Sequence, residues 1–309
     1  MKKPELVVTP GNLGEIDILA EAGADAFIIG EQAFGLRLPG EFKKEQLREA
    51  VQLIHQYDKK AYVAVNGIFH NEKLEAMKDY VSFVESINAD AIIFGDPAVL
   101  MTVREVAPNM KLHWSTETTG TNWYTANYWG RKGSKRAVLA KELNLDQVIE
   151  IKENAEVEIE VQVHGMTAMF QSKRLLVGNY FRYQGKAMEI ERKGKGENLY
   201  LYDHERDNRY PIFEDENGTH IMSPNDVCMI DELYELIDSG IDALKIDFIF
   251  KSASYKKEVT ALYRMAIDTY LKDESEYNKQ AGEWQAKIEN IQPKNRKLDT
   301  GFFFKETVY

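Results

Sequence analysis

Cysteine is almost absent from this chain of 309 residues: Cys228 is the only one. A single thiol permits no intrachain disulfide and suits a reducing cytoplasm, where we expect the protein to reside. It also cannot build a C-x-x-C metal site. Long apolar runs are missing too. None approaches the roughly 18–20 residues that span a bilayer, so no membrane partner is expected. The N-terminal MKKPELVVTP carries two lysines but no apolar core or cleavage site, and does not read as a signal peptide. There is no H-E-x-x-H, no G-x-S-x-G and no glycine-rich phosphate loop. Zincin chemistry, a serine elbow and a nucleotide cofactor are therefore unsupported.

Basic residues are also in deficit. Thirty-nine Lys and Arg face fifty Asp and Glu, for a net charge of −11. On average such a chain repels phosphate backbones, which argues against tight nucleic-acid binding by the chain alone. The deficit is uneven. Residues 167–210 hold nine Lys/Arg, including Lys173, Arg174, Arg182, Lys186, Arg192, Lys193, Lys195, Arg206 and Arg209, against six Asp/Glu, a local excess of three. A second basic cluster is Arg131, Lys132, Lys135 and Arg136.

What is present is a repeating alternation. Short β-branched runs (LVV at 6–8, AFIIG at 26–30, KAYVAVN at 60–66, AIIFGD at 91–96, KLHWST at 111–116, RAVLAK at 136–141, EIEVQVHG at 158–165, ALKIDF at 243–248) are separated by amphipathic stretches. Continuous apolar runs suit strands buried on both faces. Asn71 before Glu72, Pro97 at a helix start and Asn144 before LDQVIEI supply helix caps. Eight strand–helix units close most simply into a (β/α)8 TIM-like barrel over residues 1–272, with a doubly wound open sheet as the alternative. Residues 167–222 are glycine-rich and aromatic; LYLY at 199–202 and YPIF at 210–213 predict a small β-rich insertion after the seventh strand. A helix is expected over 225–239, carrying Cys228, and a polar C-terminal tail over 273–309, whose Phe302–Phe304 run is expected to dock on the domain or a partner.

A barrel of this type places its chemistry at the C-terminal strand ends. Glu142, His164 and Asp247 are the candidate catalytic or metal-holding groups there; the alternatives are an ion pair with Lys141 or a neighbouring arginine for Glu142 and a backbone-bonded histidine for His164. Lys245 would bind an anion, or merely neutralise Asp247 two residues along the strand. Asn66 would orient a substrate carboxylate, or serve as an ordinary turn residue before Gly67, and Ser115 would help Lys245 and Asn66 hold an anionic metabolite.

Several pieces, in order, carry a family resemblance: TPGN at 9–12, GADAF at 23–27, VNGIFHNEKL at 65–74, DAIIFGDPAVL at 90–100, HWSTETTGTN at 113–122, RAVLAKEL at 136–143, HG at 164–165 and NDVCMIDELYELIDSGIDALKID at 225–247. Together they resemble the collagenase-like peptidase family, U32. The resemblance implies either proteolysis, described as metal-dependent, or prephenate-dependent 5-hydroxylation of the tRNA wobble uridine by members that resemble iron–sulfur proteins. Asn122, which ends the HWSTETTGTN piece, and Arg174 of the basic stretch are further candidate substrate contacts beside Asn66, Ser115 and Lys245. The chain departs from the family pattern where the cluster would sit. Ala168 and Leu175 occupy two of the family's cysteine positions, and its K-I-E-G-R stretch reads Lys245-Ile246-Asp247-Phe248-Ile249. The expectation is a cluster-free pseudoenzyme working beside a cysteine-containing paralogue as a heterodimer, or as a homodimer, with tRNA bound through the complex. Iron–sulfur ligands being absent, no cofactor is expected, and a divalent metal is left open. A collagenase-like hydrolase and an anionic-metabolite binder are the alternatives.

Overall fold

The structure, a computed structural model, describes residues 2–116, 119–185 and 199–306. Lys186, Arg192, Lys193 and Lys195 of the basic stretch lie outside the described residues.

Seven strand–helix units come first: β1 (Glu5–Val8) and α1 (Gly14–Glu21), β2 (Ala26–Ile29) and α2 (Lys44–Gln56), β3 (Lys60–Val65) and α3 (Leu74–Ser86), β4 (Ala91–Phe94) and α4 (Pro97–Val106), β5 (Leu112–Trp114) and α5 (Trp123–Arg131), β6 (Ser134–Val138) and α6 (Leu145–Asn154), then β7 (Glu158–Ser172), followed by α7 (Leu176–Tyr183). After these come β8 (Leu199–Asp203), β9 (Asn208–Asp215), β10 (Gly218–Cys228), α8 (Leu233–Asp238), β11 (Ala243–Ile246), α9 (Ala253–Lys272), α10 (Glu274–Ile291) and β12 (Leu298–Asp299). Strands β1 to β7 pair in parallel in sequence order, and β11 pairs in parallel with both β1 and β7. That double pairing closes an eight-stranded parallel barrel, as the sequence pattern predicts.

Alternation along each strand sorts the residues. Leu6, Val8, Phe27, Ile29, Val63, Val65, Phe94 and Ile246 belong to the outer core beneath the helices. Val7, Ala26, Ile28, Tyr62, Ala64, Ala91, Ile93 and Ala243 form a second, inner cluster. Helix α2 shows how the helices seat themselves. Leu47, Ala50, Val51 and Ile54 are buried at helical spacing, and each such large side chain contributes about 1.5–3 kcal/mol relative to exposure. Arg136 departs from its neighbours Arg131, Lys132 and Lys135, which are exposed. It is buried, and its guanidinium binds Glu5 at 2.8 Å, Glu158 at 2.8 Å and Glu160 at 3.1 Å. It is therefore an internal ion-pair residue and not part of a basic surface.

The insertion is built on an overlong seventh strand. β7 continues past the barrel and pairs antiparallel with β10, which pairs with β9, which pairs with β8. This corrects the helix expected over 225–239. Asp226, Val227 and Cys228 are strand residues opposite Met166, Gly165 and His164, and only Leu233–Asp238 is helical. Long-range pairing outweighs the local helical pattern here.

The segment from 273 onward is polar in composition but folded. Tyr277, Ala281, Trp284 and Ile288 form a buried stripe on α10. The Tyr277 hydroxyl donates to the Ile230 carbonyl at 2.6 Å. β12 pairs in parallel with β10. Phe303 is buried and its carbonyl accepts from Leu145 N at 2.8 Å, whereas Phe302 and Phe304 are exposed. Among the described residues no helix is long and apolar enough to cross a membrane.

Candidate functional site

The C-terminal mouth of the barrel holds a cleft of about 500 Å³. Its floor comes from the ends of β3, β4 and β5 through Asn66, Gly95, Ser115 and Thr116, and its outer wall from Ala168–Gln171, the part of β7 that overshoots the barrel. Ile68, Pro97, Met169 and Phe170 give it apolar sides. Below it lies a narrower cavity that shares Arg37, Asn66 and Ser115 and adds Thr9, Glu160, Lys245 and Asp247. Close backbone approach shapes the floor. A Cβ at Gly67 would stand 2.8 Å from the Phe34 carbonyl oxygen, and one at Gly95 3.0 Å from that of Ser115.

The structure brings together four of the residues anticipated from sequence. Asn66, Ser115, Lys245 and Asp247 all line the mouth. Asn66 Oδ1 accepts from Leu36 N at 2.9 Å, which fixes the loop after β2. Lys245 Nζ lies 3.1 Å from Asp247 Oδ2, so the ion pair expected from their spacing forms. Asp247 Oδ1 also accepts from Ile249 N at 3.2 Å. Glu160 stands beside them, fully buried. Burial pushes its carboxyl upward, and Arg136 and Lys245 oppose that. Its Oε1 has no hydrogen-bond partner.

The other four are elsewhere. His164 sits on the outward side of β7, wholly buried between strand and α9. Its Nε2 lies 2.8 Å from the Tyr255 hydroxyl. Burial holds its imidazole down, at about 3, so it stays neutral at ordinary pH. Glu142 is exposed in a turn after β6. Asn122 caps α5, its Oδ1 accepting from Thr125 N at 2.8 Å. Arg174 is exposed on the insertion before α7. Glu142, His164 and Asp247 therefore do not converge on one point. Among the described residues no three His, Cys, Asp or Glu side chains group closely enough to hold a metal ion.

An iron–sulfur cluster does not fit this chain. Four thiolates are needed, and the one thiol, Cys228, is buried within 3.8 Å of the Tyr263 hydroxyl. Burial pushes it up to about 11, which keeps it protonated.

Arg37 is the mouth residue that sequence reasoning missed. It is buried, lines both cavities, and adopts φ of +52°. Its Nη1 donates to Gln171 Oε1 at 3.2 Å and lies 3.3 Å from His220 Nδ1. The one signal available was its setting, a charged residue in the short GLRLPG loop after a barrel strand.

Comparison with known proteins agrees with the fold. The model of "Peptidase family U32" matches residues 11–308. The chain is 63% identical to "tRNA hydroxylation protein P2" of Bacillus subtilis (strain 168), over all of both chains. It is 34% identical to "tRNA hydroxylation protein P1" of the same organism, covering 98% of this chain and 71% of the relative. The solved structure of a U32 peptidase superposes with a TM-score of 0.51 at 14% identity, covering 79% of this chain and 92% of that one. At that identity it supports the barrel alone. With its barrel, its strand-end motifs and a family match across nearly its whole length, the chain belongs to peptidase family U32.

Proposed function

We propose that this chain is a cluster-free subunit in tRNA hydroxylation, working beside a cysteine-containing paralogue in prephenate-dependent 5-hydroxylation of the wobble uridine. The observation that carries this is the full-length similarity to a relative named for tRNA hydroxylation, in a chain whose single thiol is buried and protonated. The redox chemistry then belongs to the paralogue, and this chain shapes the site or holds substrate.

The insertion supports a role in contact with other molecules. Met169, Phe170, Leu175, Leu176, Tyr180 and Tyr183 are all exposed within fifteen residues, and α7 buries none of its side chains. Large apolar side chains exposed at this density along the chain favour an interaction surface. Lys173, Arg174, Arg182, Arg206 and Arg209 on the same insertion supply phosphate contacts, and Tyr180, Tyr183, Tyr200 and Tyr202 supply stacking faces. The chain's overall negative charge fits an RNA surface shared with a partner.

Deletion of the gene, with no second copy present, is expected to lower 5-hydroxyuridine in tRNA hydrolysates, and the gene restored in trans to recover it. Co-purification with a four-cysteine relative is the companion assay. Unchanged modification in the deletion strain refutes the reading.

A further inference from the structure

We propose that α7 and the acidic face of α3 form a self-complementary surface on which a second copy of this chain docks about a two-fold axis, α7 of each copy lying against α3 of the other. This goes beyond the subunit reading, which leaves the chain's own assembly open.

Helix α7 is held by its end and not by its side chains. Glu214, buried on β9, accepts from Val177 N at 2.8 Å and from Gly178 N at 3.0 Å. The hydroxyl of Thr219, buried on β10, accepts from Leu176 N at 2.9 Å. Eight residues do not sustain a helix alone, so this clamp sets where α7 stands. None of its side chains is buried in return. Val177, Gly178 and Phe181 are half-buried on one side of it. Leu176, Tyr180 and Tyr183, at i, i+4 and i+7, form a stripe on the other side and are 42%, 56% and 91% exposed. That spacing is the anchor pattern of a helix seated against a partner protein.

Charge names the occupant. Residues 168–185 contain Lys173, Arg174 and Arg182 and no Asp or Glu, in a chain whose net charge is −11. On α3 the pattern is reversed. Glu72, just before the helix, and Glu75 and Asp79 on it stand at i, i+3 and i+7 and are exposed. Among the described residues none of these six side chains forms an ion pair within the chain: Lys173 bonds the Glu216 carbonyl and Arg182 the Asn179 amide oxygen. The two stripes adjoin. Gly67 and Ile68 before α3 and Met169 and Phe170 before α7 line the same cleft, and Lys173 feels the charge of Glu72. One copy therefore carries both halves of a contact, and a two-fold axis satisfies both at once. RNA competes for the same helix. Leu175 and Leu176 favour protein, because an aliphatic side chain neither stacks on a base nor pairs with a phosphate. Tyr200 and Tyr202 of the β8–β9 hairpin remain open to RNA.

The test is sedimentation equilibrium of the whole chain, with no RNA and no paralogue present, over roughly 1–100 μM. The chain should show a monomer–dimer equilibrium that weakens as salt is raised. Tyr180→Ala combined with Tyr183→Ala should weaken it roughly tenfold or more. A charge exchange decides the geometry. A cation-reversed chain, Arg174→Glu with Arg182→Glu, and an anion-reversed chain, Glu75→Lys with Asp79→Lys, should each be monomeric alone, and the two mixed should form a one-to-one heterodimer. All four positions are exposed, where substitutions leave the fold intact, and circular dichroism checks that they do. Restored pairing in the mixture requires that α7 meet α3 twice. The proposal is overturned if the chain is monomeric throughout that range, if either reversed chain still dimerises, or if the mixture does not pair. An unpaired mixture, with tRNA affinity lost in the cation-reversed chain, assigns α7 to RNA instead. Hydroxyuridine in the deletion strain decides the tRNA reading separately, so failure of the dimer leaves that reading standing.

Discussion

The Tyr255 hydroxyl lies 2.8 Å from His164 Nε2, and it donates its own proton to Gln292 Oε1 at 2.6 Å. The imidazole must therefore give Nε2–H to the tyrosine oxygen. Gln292 Nε2 passes the chain on to Asp226 Oδ2 at 2.6 Å, and Asp226 also binds Lys251 and Arg296. One network, buried at His164, Tyr255, Asp226 and Lys251 and half-buried at Gln292 and Arg296, ties the seventh strand, α9 and the C-terminal segment together. It accounts for His164 without any catalytic duty.

His164 gives the first prediction. Its folded value is depressed to about 3, so the folded state stays neutral while the unfolded chain takes up a proton below about 6.5. The stability it contributes is complete above that point and is lost as pH falls toward 3. The loss is at most about 5 kcal/mol. Urea unfolding at pH 7, 5 and 4 should show a declining midpoint, and His164→Phe should flatten that decline.

Asp226 acts at lower pH. Burial works to raise its carboxyl, but Lys251 and Arg296 prevail and bring it down to about 2. Stability from this group is present above its unfolded value near 4 and is lost as pH falls through 2, amounting to about 2 kcal/mol. At neutral pH, Asp226→Asn leaves two buried cations without their carboxylate. It should cost about 3–5 kcal/mol in denaturant melts. A loss below 1 kcal/mol would show that the network is not buried as described.

Gly165 sits where β7 leaves the barrel and faces β11. Its φ is +97°, and an added Cβ would lie 2.0 Å from the Asp247 carbonyl oxygen. Asp247 N bonds the His164 carbonyl at 3.0 Å across the same seam. Gly165→Ala should therefore destabilise the chain by roughly 3 kcal/mol, read as a lowered melting temperature. An unchanged melt would contradict this closure of the barrel.

Glu142 is exposed and stands outside the mouth. Glu142→Gln should leave stability within about 0.5 kcal/mol and leave tRNA hydroxyuridine in a complemented deletion strain at its original level. Lost modification with an unchanged melt would restore it as a functional residue.

Residue by residue, the sequence was informative where one side chain's neighbours are local. The eight strands could be read because doubly buried strands show as continuous apolar runs. Asn144 could be read as a cap because its partner, Gln147, is three residues away. The Lys245–Asp247 pair followed from strand period alone. The misreadings share a cause. Cys228 was expected on a helix because the residues around it have helical spacing, yet β10 is held by β7 some sixty residues earlier. The C-terminal segment looked polar because α10 buries only a narrow stripe.

The amino-acid order by itself determined the barrel, the presence of an insertion, the polar character of the mouth and the want of thiols for a cluster, since each is a matter of composition or of short-range period. Only the tertiary structure decided which way His164 faces, that Arg136 is internal, and that Arg37 meets His220 across 183 positions. Such contacts depend on where two distant strands are brought side by side, and no local pattern in the chain encodes that distance.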